Sequence, residues 1–121
     1  MDELVDRIVA RVGVDRTVAE KSVGIIFDFL AKEGPAEKVH ALLDRLPGAN
    51  AAIAAAREGD TGGMFGMGGI MGVGSRLMSA GLGMSEIQGV TRELMAYARE
   101  QAGDEAVGEI VAAVPGLSQF I

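Results

Sequence analysis

The sequence predicts an all-α protein in which two related helical repeats form one helix bundle around a pseudo-twofold axis. Helix formers such as Ala, Leu, Met, Glu and Arg are abundant, whereas aromatic residues make up 4% of the chain and tryptophan is absent. Apolar residues recur at helical spacing, and the second half of the chain resembles the first. With 49% hydrophobic and 23% charged residues, we expect the 121 residues to fold as a single domain.

An internal repeat organises the chain. Residues 5–53 align without gaps to residues 73–121, at an offset of 68, with seven identical pairs. The sequence therefore divides into a pseudo-repeat over residues 1–53, an Ala-rich helix and Gly/Met-rich linker over 54–72, and a second pseudo-repeat over 73–121. We expect the Cα atoms of the two aligned segments to superpose with the same helix order.

Glycines and helix-capping patterns predict where the helices begin and end. Gly13 and Gly81 follow the first periodic segment of each repeat, where a left-handed residue ends a helix without steric cost. The segments Thr17-Val-Ala-Glu20 and Ser85-Glu-Ile-Gln88 have the spacing of a capping box at the start of the next helix.

Two breaks then separate the long helix of each repeat from a third helix. Gly34-Pro35 forms the first break and Gly103-Asp104 the second, because Pro fits a first helical turn and Asp fits an N-cap. The resulting helices are expected near residues 2–12, 17–33, 35–46, 49–58, 69–80, 85–101, 104–114 and 117–121.

The helix that begins near Thr17 has an unusually wide apolar arc, which includes Val23, Ile26 and Phe29. Such an arc predicts burial against neighbours on two sides. The equivalent helix of the second repeat is the expected neighbour, although an arc this wide also suits a homodimer. The opposite, polar side is predicted to carry Glu20, Lys21, Asp28 and Lys32.

The repeat resembles a known family. The run Gly81-Leu-Gly-Met-Ser85, an amphipathic helix and Val114-Pro-Gly-Leu117 together resemble small bacterial proteins described as VcgC/VcgE-like domains of unknown function. Val12-Gly-Val-Asp15 through Leu46-Pro-Gly48 looks like a more divergent copy, with Ala49 where the second copy has Leu117. The resemblance implies a helical fold and transfers no catalytic residue.

Charge and composition exclude several function classes. Eleven basic and 17 acidic residues give a net charge of −6, and the basic residues do not cluster, so nucleic acid is not an expected partner. The chain has no cysteine, which rules out disulfides and thiol chemistry. The N-terminal Met-Asp-Glu-Leu lacks the features of a secretory signal, and no stretch is long enough to cross a bilayer, so the expected location is cytoplasmic.

Catalytic, cofactor and metal sites are not expected. Glu37 and His40 have a spacing found in carboxylate-bridged iron sites, with Asp44 one turn further on. The apolar stripe of that helix contains Val39 and Leu42, which places the polar side chains on the opposite, solvated face. No nucleophile elbow accompanies the single histidine, so the sequence predicts that the protein is not an enzyme.

The linker carries the candidate interaction surface, which consists of Met64, Phe65, Met67, Ile70 and Met71. Residues 61–75 contain seven glycines and no charged residue. The segment therefore differs from a hydrophilic Gly/Ser linker. Its apolar side chains either pack on the protein's own core or form an adaptable surface for a partner or lipid. Thioether binding of Cu(I) by the methionines is a third, weaker interpretation.

These observations predict a non-enzymatic module for protein–protein interaction or oligomerisation, whose partner is another protein or a second copy, for example in a homodimer. The alternative is a carrier of a small apolar ligand or lipid, held between the two repeats where helix bundles can open a cavity. A further alternative is a membrane adaptor that uses residues 64–73.

Overall fold

The computed structural model of the protein describes residues 2–46, 48–59 and 69–114. These residues form seven α-helices and no strand, which confirms the predicted all-α class. The helix predicted at 117–121 lies outside the described residues. The helices are α1 (Asp2–Val12), α2 (Arg16–Glu33), α3 (Ala36–Asp44), α4 (Ala49–Gly59), α5 (Gly69–Ser79), α6 (Met84–Ala102) and α7 (Asp104–Ala113).

Glycines end the first helix of each half, as predicted. Gly13 has φ 85° and Gly81 has φ 110°, a left-handed conformation in which a side chain would be strained. The Gly13 amide donates a hydrogen bond to the carbonyl of Val9 over 3.1 Å, which satisfies one of the last carbonyls of α1.

The predicted caps at Thr17 and Ser85 are wrong, because each residue lies inside its helix. The N-cap of α2 is Asp15, whose side chain makes no capping hydrogen bond, and the N-cap of α6 is Gly83. A glycine has no side chain with which to cap a helix, so only the returning half of the motif forms there. The Gly83 amide donates to Glu86 Oε1 over 2.8 Å, three residues further on.

The central element of the fold is α2, which contacts α1, α3, α4, α5 and α6. Nine consecutive residues, Ser22–Leu30, are buried, so the predicted apolar arc is confirmed and extends around the whole helix. The prediction that Asp28 lies on a polar face is wrong, because Asp28 has no exposed surface. Neighbouring helices cover the side of α2 that an isolated amphipathic helix would leave in water.

The two halves of the chain cross over each other. Helix α1 packs against α6, α5 packs against α2, and α3 contacts α7. Adding 68 to the bounds of α1, α2 and α3 reproduces the bounds of α5, α6 and α7 to within one residue. A pseudo-twofold axis requires reciprocal contacts of this kind. The superposition of the two halves stays a prediction.

One contiguous cluster of apolar side chains forms the core. The core contains residues from both halves. Where a residue of the first half is buried, the residue aligned with it in the second half is often buried too. The aligned pairs in which both residues are buried are Val14/Leu82, Ala19/Ile87, Ser22/Val90, Val23/Thr91, Ile26/Leu94, Phe27/Met95, Phe29/Tyr97, Leu30/Ala98, Val39/Val107, Leu42/Ile110 and Leu46/Val114. Most of these residues lie on α2, α3, α6 and α7, so the four helices share one core.

Candidate interaction surface

Three of the predicted surface residues, Met64, Phe65 and Met67, lie outside the described residues. Ile70 and Met71 belong to α5, although their side chains also lie outside the description. Helix α5 begins at Gly69, as expected from the glycine content before that point. The arrangement of these five side chains therefore stays a prediction.

A surface free of charge lies directly after them in the chain. Residues 74–91, all described by the structure, cover most of α5, the turn after it and the start of α6. None of the exposed residues in this segment carries a charge. We call these exposed residues the neutral surface: Ser75, Met78, Ser79, Gly81, Gly83, Met84, Ser85 and Gln88. A surface patch without charge stands out in a chain with net charge −6.

Two methionines are the main apolar groups of the neutral surface. Met78, in the last turn of α5, is 52% exposed, and Met84, the first residue of α6, is 56% exposed. They are the large hydrophobic residues left exposed in the part of the chain that the structure describes. Flexible, polarisable thioethers of this kind are common at surfaces that adapt to a partner.

The charged residues of the same segment form hydrogen bonds within the fold. Arg76 Nη1 donates a hydrogen bond to Asp28 Oδ2 of α2 over 3.1 Å, and Glu86 accepts from the Gly83 amide. Both side chains are only partly exposed. Their charges therefore serve the packing of α5 on α2 and the start of α6, and the neutral surface remains without a free charge.

The equivalent corner of the first half is heavily charged. Arg11, Asp15, Arg16 and Glu20 are all exposed there, and at the offset of 68 they correspond to Ser79, Gly83, Met84 and Gln88. Arg16 forms ion pairs with Asp6 and, over 3.7 Å, with Glu20. The aligned positions thus carry exposed charges in the first half and exposed neutral residues in the second.

Helices α1 and α6 are joined by a second set of ion pairs. Arg7 Nη1 lies 2.8 Å from Glu100 Oε2, and Arg11 Nη1 lies 3.1 Å from Glu93 Oε1. The hydrogen bond to Glu100 raises the pKa of the Arg7 guanidinium above its ordinary value. These ion pairs link the first helix of the chain to the long helix of the second half.

Asp28 is the buried charge that sequence reasoning missed. Its Oδ2 lies 3.1 Å from Arg76 Nη1 and 3.2 Å from Lys32 Nζ. The two cations compensate a carboxylate that burial would otherwise penalise strongly. The available signal was its position within the apolar run Ile25-Ile-Phe-Asp-Phe-Leu30, where an acid needs a partner from another helix.

The polar residues considered for metal binding lie where the sequence placed them. Glu37, His40 and Asp44 are exposed on α3, while Val39 and Leu42 on the same helix are buried. Among the described residues, no group of three or more His, Asp and Glu side chains is arranged to hold a metal ion. A search of the same residues finds no helix with the length and apolar character needed to cross a bilayer.

Comparisons with known proteins identify no relative. No family model matches the chain, and no match was found among the curated proteins or the solved structures. The resemblance to VcgC/VcgE-like domains therefore stays a prediction carried by the glycine and proline pattern of the repeat.

Proposed function

We propose that the protein is a non-enzymatic oligomerisation module that associates with a second copy of itself through the neutral surface. The observation that supports this function is the concentration of exposed methionine, serine and glutamine, without any exposed charge, on residues 74–91. In the chain, this surface follows Ile70 and Met71, which the sequence predicts to belong to an interaction surface.

Charge favours a second copy over other occupants. Two chains of net charge −6 repel each other, and the repulsion is smallest where neither presents a charge. A membrane with anionic lipids or a nucleic acid would instead attract exposed lysine or arginine, and the neutral surface presents neither.

The chemistry of the neutral surface is also self-complementary. A twofold interface brings the same patch of both subunits together, so each group must be able to pair with its own kind. The hydroxyls of Ser75, Ser79 and Ser85 and the amide of Gln88 can both donate and accept hydrogen bonds. Methionine side chains pack against one another without a fixed geometry.

Sedimentation velocity of the full chain tests this function. From about 1 μM to about 1 mM, we expect the wild type to pass from monomer to dimer. Met84→Glu adds a carboxylate at the first position of α6, where the helix dipole favours it, and should weaken association at least about tenfold.

Ala36→Glu is the matched control. Ala36 is exposed and is the first residue of α3, so the substitution adds the same charge at the same helical position away from the neutral surface. The control should leave association within about twofold of the wild type. A chain that stays monomeric throughout the concentration range, or an equal loss in both variants, contradicts the proposal.

A further inference from the structure

We infer that Met78 and Met84 form a methionine-oxidation site, at which hydrogen peroxide converts the neutral surface into a polar one and weakens self-association. The site itself rests on the exposure of the two side chains. Its effect on association rests on the function proposed above.

Exposure distinguishes these methionines from the third one whose side chain the structure describes. Met78 is 52% exposed and Met84 is 56% exposed, whereas Met95 is 1% exposed in the core. Met84 and Met95 belong to the same helix, α6, with Met84 at its first residue and Met95 in its buried middle. A thioether needs no deprotonation, so access of the oxidant decides which of them reacts.

The reaction is a two-electron oxygen transfer. A lone pair on the methionine sulfur attacks one oxygen of the peroxide, an S–O bond forms, and the O–O bond breaks. The oxygen now bound to sulfur gives up its proton, and the departing hydroxide takes up one proton to become water, so the thioether is oxidised to a sulfoxide while the peroxide is reduced. The product is a polar side chain, and methionine sulfoxide reductases can restore the thioether.

The position of the two residues makes oxidation a surface event. Met78 lies in the last turn of α5 and Met84 at the first position of α6, and neither belongs to the core. A sulfoxide at either residue therefore leaves the helix packing intact, whereas a sulfoxide at Met95 would put a polar group among buried apolar side chains. The expected consequence at Met78 and Met84 is a loss of apolar contact area alone.

The first measurement is a peptide map by mass spectrometry after timed exposure to hydrogen peroxide, with the protein diluted to about 1 μM to favour the monomer. Met78 and Met84 should gain one oxygen at least about tenfold faster than Met95, which is reached only through local opening of the fold. Circular dichroism should show unchanged helix content. Equal rates for all three methionines would overturn the site.

The second measurement is sedimentation velocity of the oxidised protein, compared with the double variant Met78→Leu/Met84→Leu. Leucine keeps the surface apolar and cannot be oxidised, so peroxide should weaken association of the wild type and spare the variant. Equal weakening in both would overturn the regulatory effect, because oxidation elsewhere would be responsible. A wild type that never associates would refute the proposed function, while the peptide map still decides the oxidation site.

Discussion

At the scale of single residues, Asp28 shows what a helical wheel leaves out. Its position on α2, considered alone, groups it with Glu20, Lys21 and Lys32 on a polar side. The carboxylate is buried because its partner, Arg76, approaches from α5, 48 residues later in the chain. A contact between distant elements is not encoded in the periodicity of either helix, so the sequence could not predict it.

Substitution of this ion pair should show strong coupling. Arg76→Met removes one cation from a buried carboxylate and should reduce the free energy of unfolding by about 1–3 kcal/mol, because Lys32 still compensates part of the charge. The double variant Asp28→Leu/Arg76→Met removes the carboxylate as well and should be at least as stable as Arg76→Met alone. Urea denaturation measures both variants, and a double variant that is less stable than Arg76→Met would contradict the pairing.

Tyr97 offers a pH-dependent test of the α1–α6 contact. Burial, followed by the negative charge of Glu3, raises its pKa above the ordinary value of 10.0. Since the neutral phenol is favoured by folding, its contribution to stability is complete below pH about 10 and is lost as the pH rises through the folded-state pKa.

The chain has one tyrosine and no tryptophan, so the ultraviolet absorbance of tyrosinate reports Tyr97 alone. The folded protein should titrate at a higher pH than the same protein unfolded in guanidinium chloride. Glu3→Gln should reduce the difference without removing it, because burial is the larger cause. Identical titrations in the folded and unfolded states would mean that Tyr97 is solvated.

At the scale of helices, the sequence predicted the starts of the described helices to within one residue and their ends to within two, but it assigned the wrong caps to α2 and α6. A left-handed glycine is a local requirement, so Gly13 and Gly81 could be recognised from their position after an apolar segment. A helix start can be capped in more than one way. Helices α2 and α6 each begin one residue before the expected Thr17 and Ser85, with Asp15 and Gly83 as their N-caps. A capping pattern in the sequence therefore predicts the first residue of a helix to within about one turn.

The junction between α2 and α3 depends on the absence of a side chain at Gly34. Its backbone, with φ −85° and ψ 174°, suits any residue, but a Cβ would lie 2.7 Å from the carbonyl oxygen of Leu30 and 2.9 Å from Val39 Cγ2. Gly34→Ala should therefore destabilise the protein by about 1–3 kcal/mol.

Gly108 provides the opposite case on α7, because a Cβ there meets no atom within 4 Å. Gly108→Ala should stabilise the protein by up to about 1 kcal/mol through helix propensity. Thermal or urea denaturation of the two variants gives the comparison. If Gly34→Ala is as stable as Gly108→Ala, the α2–α3 junction must open to accommodate the methyl group.

At the scale of the whole molecule, the internal repeat predicted the order of the helices but not how the two halves are joined. The sequence indicated that the two long helices would be neighbours, whereas α1 packing on α6 and α5 on α2 appear only in the folded chain. The candidate surface, too, depends on contacts that are known only from the folded chain. A run of apolar residues marked the linker in the sequence. The neutral surface is recognised only from the structure, which shows that Arg76 and Glu86 are partly buried.

The crossed contacts predict that neither half folds well alone. A fragment of residues 1–59 loses the α6 partner of α1, and a fragment of residues 69–121 loses the α2 partner of α5. Chains of about 60 residues also bury a smaller share of their surface than the intact protein. Each fragment alone should show reduced helicity and no cooperative unfolding in urea, while an equimolar mixture should regain both. Tyr97 fluorescence follows the reassembly, since Tyr97 is 4% exposed in the intact protein and lies on the second fragment. Cooperative unfolding of the 69–121 fragment alone, at the urea midpoint of the intact chain, would show that the crossed helices contribute little to stability.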